Sequence, residues 1–198
     1  MHRMFTFVDM PLKKDIKRCS WCERDDLYRK YHDEEWGVPS HNDHYLFELL
    51  VLEFFQAGLS WYTILTKREA FKLAFDGFDV HKVSAFDTEK IERLMNNSGI
   101  VRHRLKIQAA IENAKCFIDI QNEFGSFSKY IWSFTNEKTI MSRPEGFSNL
   151  PSKTELSDTL SKDLKKRGFK FMGSTVCYAY LQAIGVVNDH FSACFKSI

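Results

Sequence analysis

One carboxylate interrupts a long apolar stretch of this sequence. Glu53 lies in the middle of "LLVLEFFQAGLSW" (49–61), where a helix would be apolar on most of its sides. A buried carboxylate is unfavourable unless a cation or hydrogen-bond donors share its cavity. Glu53 is therefore a candidate ligand-binding residue. The alternative is a carboxylate at the helix rim that pairs with a lysine or an arginine.

Three aromatic residues accompany Glu53. Tyr31, Trp36 and Trp61 lie on either side of it in the sequence, and each of them alone is typical of a core. Together with the carboxylate they describe a box for a flat, electron-poor molecule, because aromatic rings supply stacking and cation–π attraction. A cationic alkylated nucleobase has this shape and charge.

Four further residues have the types and spacing of a metal site. Twelve residues separate Cys19 from His32, and three residues, about one helical turn, separate His190 from Cys194. Two such pairs can form the closed tetrahedron of a structural zinc site, which would tie the two ends of the chain together. Cys22 forms a C-x-x-C pair with Cys19 and is an alternative ligand. Ordinary buried thiols and surface histidines are the alternative to any metal.

A turn between two helices is a candidate phosphate site. The segment "NNSGIVRHRLKIQAAI" (96–111) is typical of helix, tight turn and helix, and Arg102, Arg104 and Lys106 follow its glycine. Backbone N–H groups at the start of the second helix would suit a phosphate. Hairpins that bind nucleic acid usually carry a second glycine where this chain has Val101. The segment is therefore either a variant of that motif or only structural.

A second basic segment, "KDLKKRGFK" (162–170), contributes Lys166, Arg167 and Lys170. Such a patch can contact phosphates, although a basic helix face is more often only solvated. The whole chain carries a formal net charge of +2, so it is not a general polyelectrolyte binder.

Helices must position these residues, because the apolar periodicity is helical nearly throughout. We predict an all-α fold with helices over about 44–57, 61–75, 88–98, 102 onward, 127–134, 154–166 and 174–185. Ser60 and Thr88 are the predicted caps of two of them, and 135–152 is predicted to be irregular. Residues 19–198 are predicted to form a single domain after an N-terminal extension of residues 1–18.

Composition limits the class of protein. The chain has 198 residues, the size of one domain, and no segment approaches the roughly 18 uninterrupted apolar residues of a membrane helix. In the first 18 residues the basic charges lie on the wrong side for a signal peptide. The five cysteines are an odd number, which disfavours a disulfide framework. We expect a cytoplasmic protein that does not contact a membrane.

Five strings of the sequence resemble the bacterial 3-methyladenine DNA glycosylase I family, in one order over about residues 18–194. They are "YHDEEWGVP" (31–39), "QAGLSW" (56–61), "NSGIVRHRLKI" (97–107), "LSKDLKKRGFKFMG" (160–173) and "GVVNDH" (185–190). The resemblance implies a helix-hairpin-helix DNA glycosylase fold. It also implies base-excision repair, in which the N-glycosidic bond of 3-methyladenine in alkylated double-stranded DNA is hydrolysed after the base is flipped out.

The resemblance also implies roles for particular residues. One structural zinc per chain, in a clasp between the termini, would be held by Cys19, His32, His190 and Cys194. The base pocket would consist of Tyr31, Trp36, Glu53 and Trp61, with Glu53 as the catalytic residue. The wedge into the base stack would be Gly58 and Leu59. Apart from the resemblance, we expect the two basic segments described above to hold the DNA backbone, through Arg102, Arg104, Lys106, Lys166, Arg167 and Lys170.

The chain departs from the family pattern in one place. Phe54 stands where the family usually has a small residue, most often glycine, so extra bulk either reshapes the pocket wall or fills core. The family lacks the catalytic aspartate that many helix-hairpin-helix glycosylases carry, so we assign no such role to Asp119, Asp158 or Asp163. We expect a monomer.

Two other functions compete with this reading of the sequence. The first is a DNA-binding module without catalysis, which would bind DNA and release no base. The second is a zinc hydrolase or deaminase, which needs an open coordination position on the metal.

Overall fold

The structure is a computed structural model that describes residues 16–197. It is mostly helical, as the sequence predicts. The helices within this range are α1 (Asp26–Glu34), α2 (Asp43–Gln56), α3 (Trp61–Thr66), α4 (Arg68–Ala74), α5 (Val80–Ser84), α6 (Thr88–Met95), α7 (Arg104–Phe124), α8 (Phe127–Ser133), α9 (Glu155–Lys166) and α10 (Ser174–Ala183). Of the predicted extension over residues 1–18, residues 1–15 lie outside the described range. Between residues 16 and 197, no helix is both long and apolar enough to cross a membrane.

Helix α2 is the central element, and it carries Glu53. It begins at Asp43, where the Asn42 side chain accepts a hydrogen bond from the Tyr45 N–H and so satisfies one of the free donors of the first turn. Its side chains are buried on nearly every side because it packs against α7, α8 and α10. Glu53 is therefore placed in the interior by the apolar residues around it.

The structure has two helices where the sequence predicts one over 61–75. Ser60 caps α3, as predicted, but the chain bends at Lys67 before α4 begins. The Lys67 ammonium donates hydrogen bonds to the carbonyls of Ser98 and Gly99, at 3.4 Å and 3.3 Å. The bend is thus accompanied by a contact with a distant segment, which helical periodicity does not reveal.

The predicted pair of helices around residues 96–103 is present. Helix α6 is capped by Asp87, one residue before the predicted Thr88, because the Asp87 carboxylate accepts the Lys90 N–H at 2.8 Å. Helix α7 is capped by the His103 side chain. Helices α1 and α5 are short elements that the periodicity does not predict, and α5 packs against α7.

The segment after α10 returns to the start of the domain. Gly185 has φ +77°, and a Cβ there would lie 2.3 Å from the backbone of Val38 and Pro39, so only glycine fits this close approach. The segment then forms β2 (Val187–Asn188), which pairs in parallel with β1 (Ile140–Met141). The sequence predicts no strand, because two-residue strands leave no alternating pattern.

Candidate functional site

The four predicted metal ligands converge from the two ends of the described chain. One ligand atom from each of Cys19, His32, His190 and Cys194 lies within 4.8 Å of the others, and all four residues are buried. The two histidine nitrogens are 3.2 Å apart, and three sulfur–nitrogen distances are 3.4–3.6 Å. With bonds of about 2.0 Å to nitrogen and 2.3 Å to sulfur, the corners of a tetrahedral zinc site lie roughly 3.3–3.8 Å apart. The residues fit such a site.

Hydrogen bonds outside the cluster orient both imidazole rings. His32 Nδ1 lies 2.8 Å from Asp33 Oδ1, and His190 Nε2 lies 3.0 Å from the Trp36 carbonyl oxygen. Because a carboxylate and a carbonyl only accept, these two ring nitrogens carry the protons. The other nitrogen of each ring then points a lone pair into the cluster, as metal-binding histidines do. Two facing lone pairs repel each other, and a cation between them would remove that repulsion.

Burial gives the same groups the protonation behaviour of a metal site. It lowers the pKa of His190 to about 4, so the imidazole is neutral, and it raises the pKa of Cys19 to about 12, so a thiolate needs a cation beside it. The Phe191 N–H donates to Cys19 Sγ at 3.3 Å. Cys22 lies outside the cluster, where its thiol donates to the Cys19 carbonyl at 3.1 Å.

A cavity of about 650 Å³ is lined by the four predicted pocket residues, Tyr31, Trp36, Glu53 and Trp61. Glu53 is 4% exposed, and its Oε2 atom has no hydrogen-bond partner among the described residues. Burial raises the pKa of Glu53 to about 8. The alternative of a rim carboxylate paired with a lysine or arginine is wrong, because Glu53 is buried and makes no such pair within residues 16–197.

Aromatic rings form one side of this cavity. The rings of Tyr31 and Trp61 lie 5.2 Å apart, and Trp21 meets Trp36 edge-on at 5.0 Å. Trp21 and Tyr28 also line the cavity, and the sequence analysis missed both. Trp21 lies between Cys19 and Cys22, and its position within the C-x-x-C segment is the sequence feature that could have placed it near the site. Because Trp21 also lies against His32, the cysteine–histidine cluster and the cavity share a wall.

Helix α10 forms another side of the cavity, and the sequence does not predict this contribution. Tyr178 and Gln182 line the cavity, and both donate hydrogen bonds to the buried Asp189 carboxylate, Gln182 at 2.6 Å. The Ser142 hydroxyl donates to the other oxygen of Asp189. Since the Gln182 Nε2 is committed to Asp189, its amide orientation is fixed. The string "GVVNDH" contains Asp189, but nothing in that string shows the side chains it contacts.

Similarity to known proteins accords with this geometry. A family model described as methyladenine glycosylase matches residues 21–197. The chain belongs to the methyladenine glycosylase family. It is 48% identical over 179 residues to DNA-3-methyladenine glycosylase 1 of Escherichia coli (strain K12), a match that covers 90% of this chain and 96% of that protein.

Solved structures of the family have the same fold. A crystal structure of 3-methyladenine DNA glycosylase I matches with a TM-score of 0.87 and 46% identity, over 90% of this chain and 98% of that one. A tyrosine-to-phenylalanine variant of 3-methyladenine DNA glycosylase I, in complex with 3-methyladenine, matches with a TM-score of 0.88 and 38% identity, over 91% and 97%.

The loop after α2 lies at the mouth of the cavity in this glycosylase-family chain. Gln56 and Ser60, on either side of it, both line the cavity. Gly58 has φ +86°, a left-handed conformation that favours glycine, and Leu59 is 42% exposed despite its apolar side chain. The two predicted wedge residues thus occupy an exposed, sharply turned loop beside Glu53.

Phe54, where the chain departs from the family pattern, faces away from the cavity. It is fully buried, its ring lies 5.1 Å from that of Phe55 and 6.4 Å from that of Phe171, and it is not among the residues that line the cavity. The extra bulk therefore fills core.

The six predicted phosphate contacts fall into three groups: exposed residues, residues that make ion pairs (Arg104 and Arg167), and one buried residue. Arg102, Lys166 and Lys170 are exposed. Arg104 is also exposed but makes a bidentate ion pair with Glu92, at 2.6 Å and 2.8 Å. Lys106 is 5% exposed, and its ammonium group donates to two backbone carbonyls, so the structure does not offer it to a phosphate.

Arg167 is held by side chains on two sides. It donates to Asp163 at 2.7 Å and to Glu123 at 2.6 Å, and its guanidinium lies over the rings of Phe124 and Tyr130, 5.1 Å from each centroid. A phosphate would have to compete with two carboxylates for this group.

Proposed function

We propose that this chain is a DNA-3-methyladenine glycosylase that releases the damaged base by hydrolysing its N-glycosidic bond. The observation that carries the proposal is the buried Glu53 carboxylate, which faces an aromatic cavity without a hydrogen-bond partner among the described residues. Membership of the methyladenine glycosylase family gives the class of substrate. A cationic purine supplies both the positive charge and the N–H donors that Glu53 lacks.

The proposed reaction begins when the damaged nucleotide is flipped out of the duplex. Flipping takes a few kcal/mol, less for a damaged and weakly stacked base. Gly58 and Leu59 would enter the gap in the stack, because they form the exposed turn at the cavity mouth. The flipped base would lie among Tyr31, Trp36 and Trp61.

Glu53 would then act as the catalytic residue by reading the adenine edge. 3-Methyladenine in DNA carries a formal positive charge, so its glycosidic bond is already weak and the base leaves as a neutral molecule. Strong acid catalysis is therefore unnecessary, and water attacks the sugar carbon. A cation beside Glu53 favours its carboxylate form, which accepts hydrogen bonds from N–H donors and disfavours bases that present acceptors there.

We also propose that the cluster of Cys19, His32, His190 and Cys194 binds one structural zinc ion. Its support is the spacing of the ligand atoms and the two histidine lone pairs that face each other. When bound, the ion would hold the two terminal segments together. Four protein ligands leave no open position, which disfavours the zinc hydrolase and deaminase readings.

The DNA duplex would be held on its backbone by the helical pair α6 and α7, acting as the hairpin of a helix-hairpin-helix fold. Arg102 supports this assignment because it is exposed in the loop between the two helices, and the exposed Lys166 and Lys170, at and after the end of α9, would add further backbone contacts. Arg104 and Arg167 would have to exchange their carboxylate partners for phosphate. A cytoplasmic location and a monomeric state remain our predictions.

Incubation with methylated DNA tests the proposed activity. We expect chromatography to detect free 3-methyladenine and no free 7-methylguanine. Glu53→Gln has the same shape but loses the charged acceptor, and we expect release to fall about a hundredfold or more, as with other preorganised catalytic groups. The matched control is Glu112→Gln, an exposed carboxylate that pairs with Lys115 and that we place in neither the pocket nor the DNA contacts. Binding of DNA without any base release would favour the non-catalytic module instead.

A further inference from the structure

Lys106 is a buried lysine whose ammonium group is taken up by the end of another helix. It donates to the carbonyl of Phe55, in the last turn of α2, at 2.9 Å and to the carbonyl of Ala57, the residue that follows the helix, at 2.7 Å. The last carbonyls of a helix lack partners within it and carry partial negative charge, which favours a cation there. Burial lowers the pKa of Lys106, whereas the hydrogen bonds that its ammonium group donates favour the charged form.

The two carbonyls are those that the loop itself does not satisfy. The Ala57 N–H donates to the Phe54 carbonyl at 3.3 Å, and the Leu59 N–H donates to the Gln56 carbonyl at 2.6 Å. Lys106 binds the alternate pair. The turn that presents Gly58 and Leu59 is thus held by its own hydrogen bonds and by one side chain from α7.

The position of Lys106 in the chain gives this contact its meaning. It is the third residue of α7, the helix that begins directly after the 96–103 loop. Ala57 directly precedes Gly58 and Leu59. One side chain therefore joins the start of the helix expected to meet the DNA backbone to the loop expected to enter the base stack.

We infer that Lys106 is a positioning residue that couples the α6–α7 hairpin to the Gly58–Leu59 loop, so that docking of the hairpin on phosphate sets the loop for insertion. This inference rests on the proposed function. Without the ammonium group, the two carbonyls at the end of α2 lose their partner, and the loop is no longer fixed relative to the hairpin. The lesion is then flipped less efficiently from an intact duplex, whereas the pocket around Glu53 is unchanged.

Lys106→Met tests the coupling, because methionine keeps the length and apolar stem but cannot donate. The substrates are poly(dA) methylated with dimethyl sulfate, either annealed to poly(dT) or left single-stranded. We expect single-turnover release of 3-methyladenine from the duplex to fall about tenfold or more, as when a charged hydrogen bond is lost. Release from the single strand should change less than about threefold, because little flipping is needed there.

Two further variants make the result specific. Lys115→Met removes another lysine of α7, one that is exposed and pairs with Glu112, so it should leave release from both substrates unchanged. Leu59→Ala should lower duplex release on its own. Combining it with Lys106→Met should add little, because both changes act on the same insertion step.

Either of two outcomes overturns the inference. In the first, Lys106→Met lowers release of 3-methyladenine equally from duplex and single strand, which would mean that Lys106 only supports the pocket or the fold. In the second, the variant releases the base from both substrates as fast as the wild type does. If Lys106→Met does not fold, Lys106→Gln replaces it, because glutamine keeps a hydrogen-bond donor. We expect this variant to show a smaller fall in base release, and only from the duplex. An equal fall on both substrates would again overturn the inference. A wild-type protein that releases no base from either substrate would contradict the proposed function instead.

Discussion

The buried Glu53 carboxyl group reduces the stability of the protein at neutral pH. Its pKa is raised from 4.5 to about 8 by burial, so the folded protein keeps a proton on this group that the unfolded chain releases. The folded state therefore binds more protons between these two pH values, and its stability falls as pH rises through that range. A cation bound beside Glu53 would favour the carboxylate form and so reverse this effect.

Glu53→Gln should for this reason stabilise the protein while it lowers base release. Glutamine is neutral at every pH, so we expect its free energy of unfolding to exceed that of the wild type by roughly 3 kcal/mol at pH 7. The difference should be close to zero near pH 4, and urea unfolding at both pH values measures it.

Glu92→Gln is the control of opposite sign. Its hydrogen bond with Arg104 lowers the pKa of Glu92, so the pair stabilises the folded protein above the ordinary pKa of this carboxyl and the contribution disappears as pH falls. This exposed variant should be slightly less stable than the wild type at pH 7. Equal stability of the wild type and Glu53→Gln at pH 7 would contradict the assignment of Glu53 as a buried, unpartnered acid.

At the scale of elements, one carboxylate joins three helices of the core. Asp43, the first residue of α2, accepts the N–H groups of Phe127 and Ser128 at the start of α8 and the side-chain amide of Gln121 from α7, each at 2.8 Å. It therefore caps a helix other than its own. This arrangement fixes the end of α2 that lies farther from Glu53.

Asp43→Ala should lower the free energy of unfolding by about 2–4 kcal/mol, because three donors lose a charged acceptor. Asp87→Ala is the matched control. Asp87 caps only its own helix, α6, and its removal should lower the free energy of unfolding by about 1 kcal/mol. Urea unfolding at one pH compares the two variants, and a loss at Asp43 no larger than that at Asp87 would contradict the inter-helix role.

The long helices could be predicted from the sequence because their apolar periodicity and caps are local. Helix α9 begins after Thr154, within one residue of the prediction. The bend at Lys67, the five-residue helix α5 and the β1–β2 pair could not be predicted, because contacts between distant segments accompany each of them. Periodicity over a short window carries no information about such contacts.

Across the whole molecule, the candidate site is assembled from segments far apart in the sequence. Glu53 could be found because one charge in an apolar helix is conspicuous, and resemblance to the family pointed to the four clustered cysteines and histidines. Tyr178 and Gln182 could not be found in the sequence as residues of the cavity wall. Their positions depend on their hydrogen bonds to Asp189 and on the close approach of Gly185 to another segment. The sequence predicts a phosphate contact for Lys106, because a run of basic residues does not show which of its side chains is buried.

The proposed zinc ion would join the first and last described segments of the chain. Its removal should make these segments more mobile before it affects the helices of the core. His32 follows the segment that carries Trp21 and Tyr28, and His190 follows the Asp189 that holds Tyr178 and Gln182. We expect about one zinc per chain by elemental analysis. After chelation, hydrogen exchange should rise first in 16–24 and 188–197, while α2 and α7 stay protected, because local openings follow the loss of local contacts.

Cys22→Ser and Cys194→Ser separate a metal ligand from a bystander thiol. The Cys22 thiol only donates to the Cys19 carbonyl, and serine can do the same, so that variant should keep its zinc and its thermal midpoint. Cys194→Ser removes one corner of the tetrahedron and should lose most of the zinc. It should also show the exchange pattern of the chelated protein without chelator. Purified wild-type protein that contains no metal, and whose stability chelators do not change, would contradict the zinc proposal and leave the base-release proposal intact.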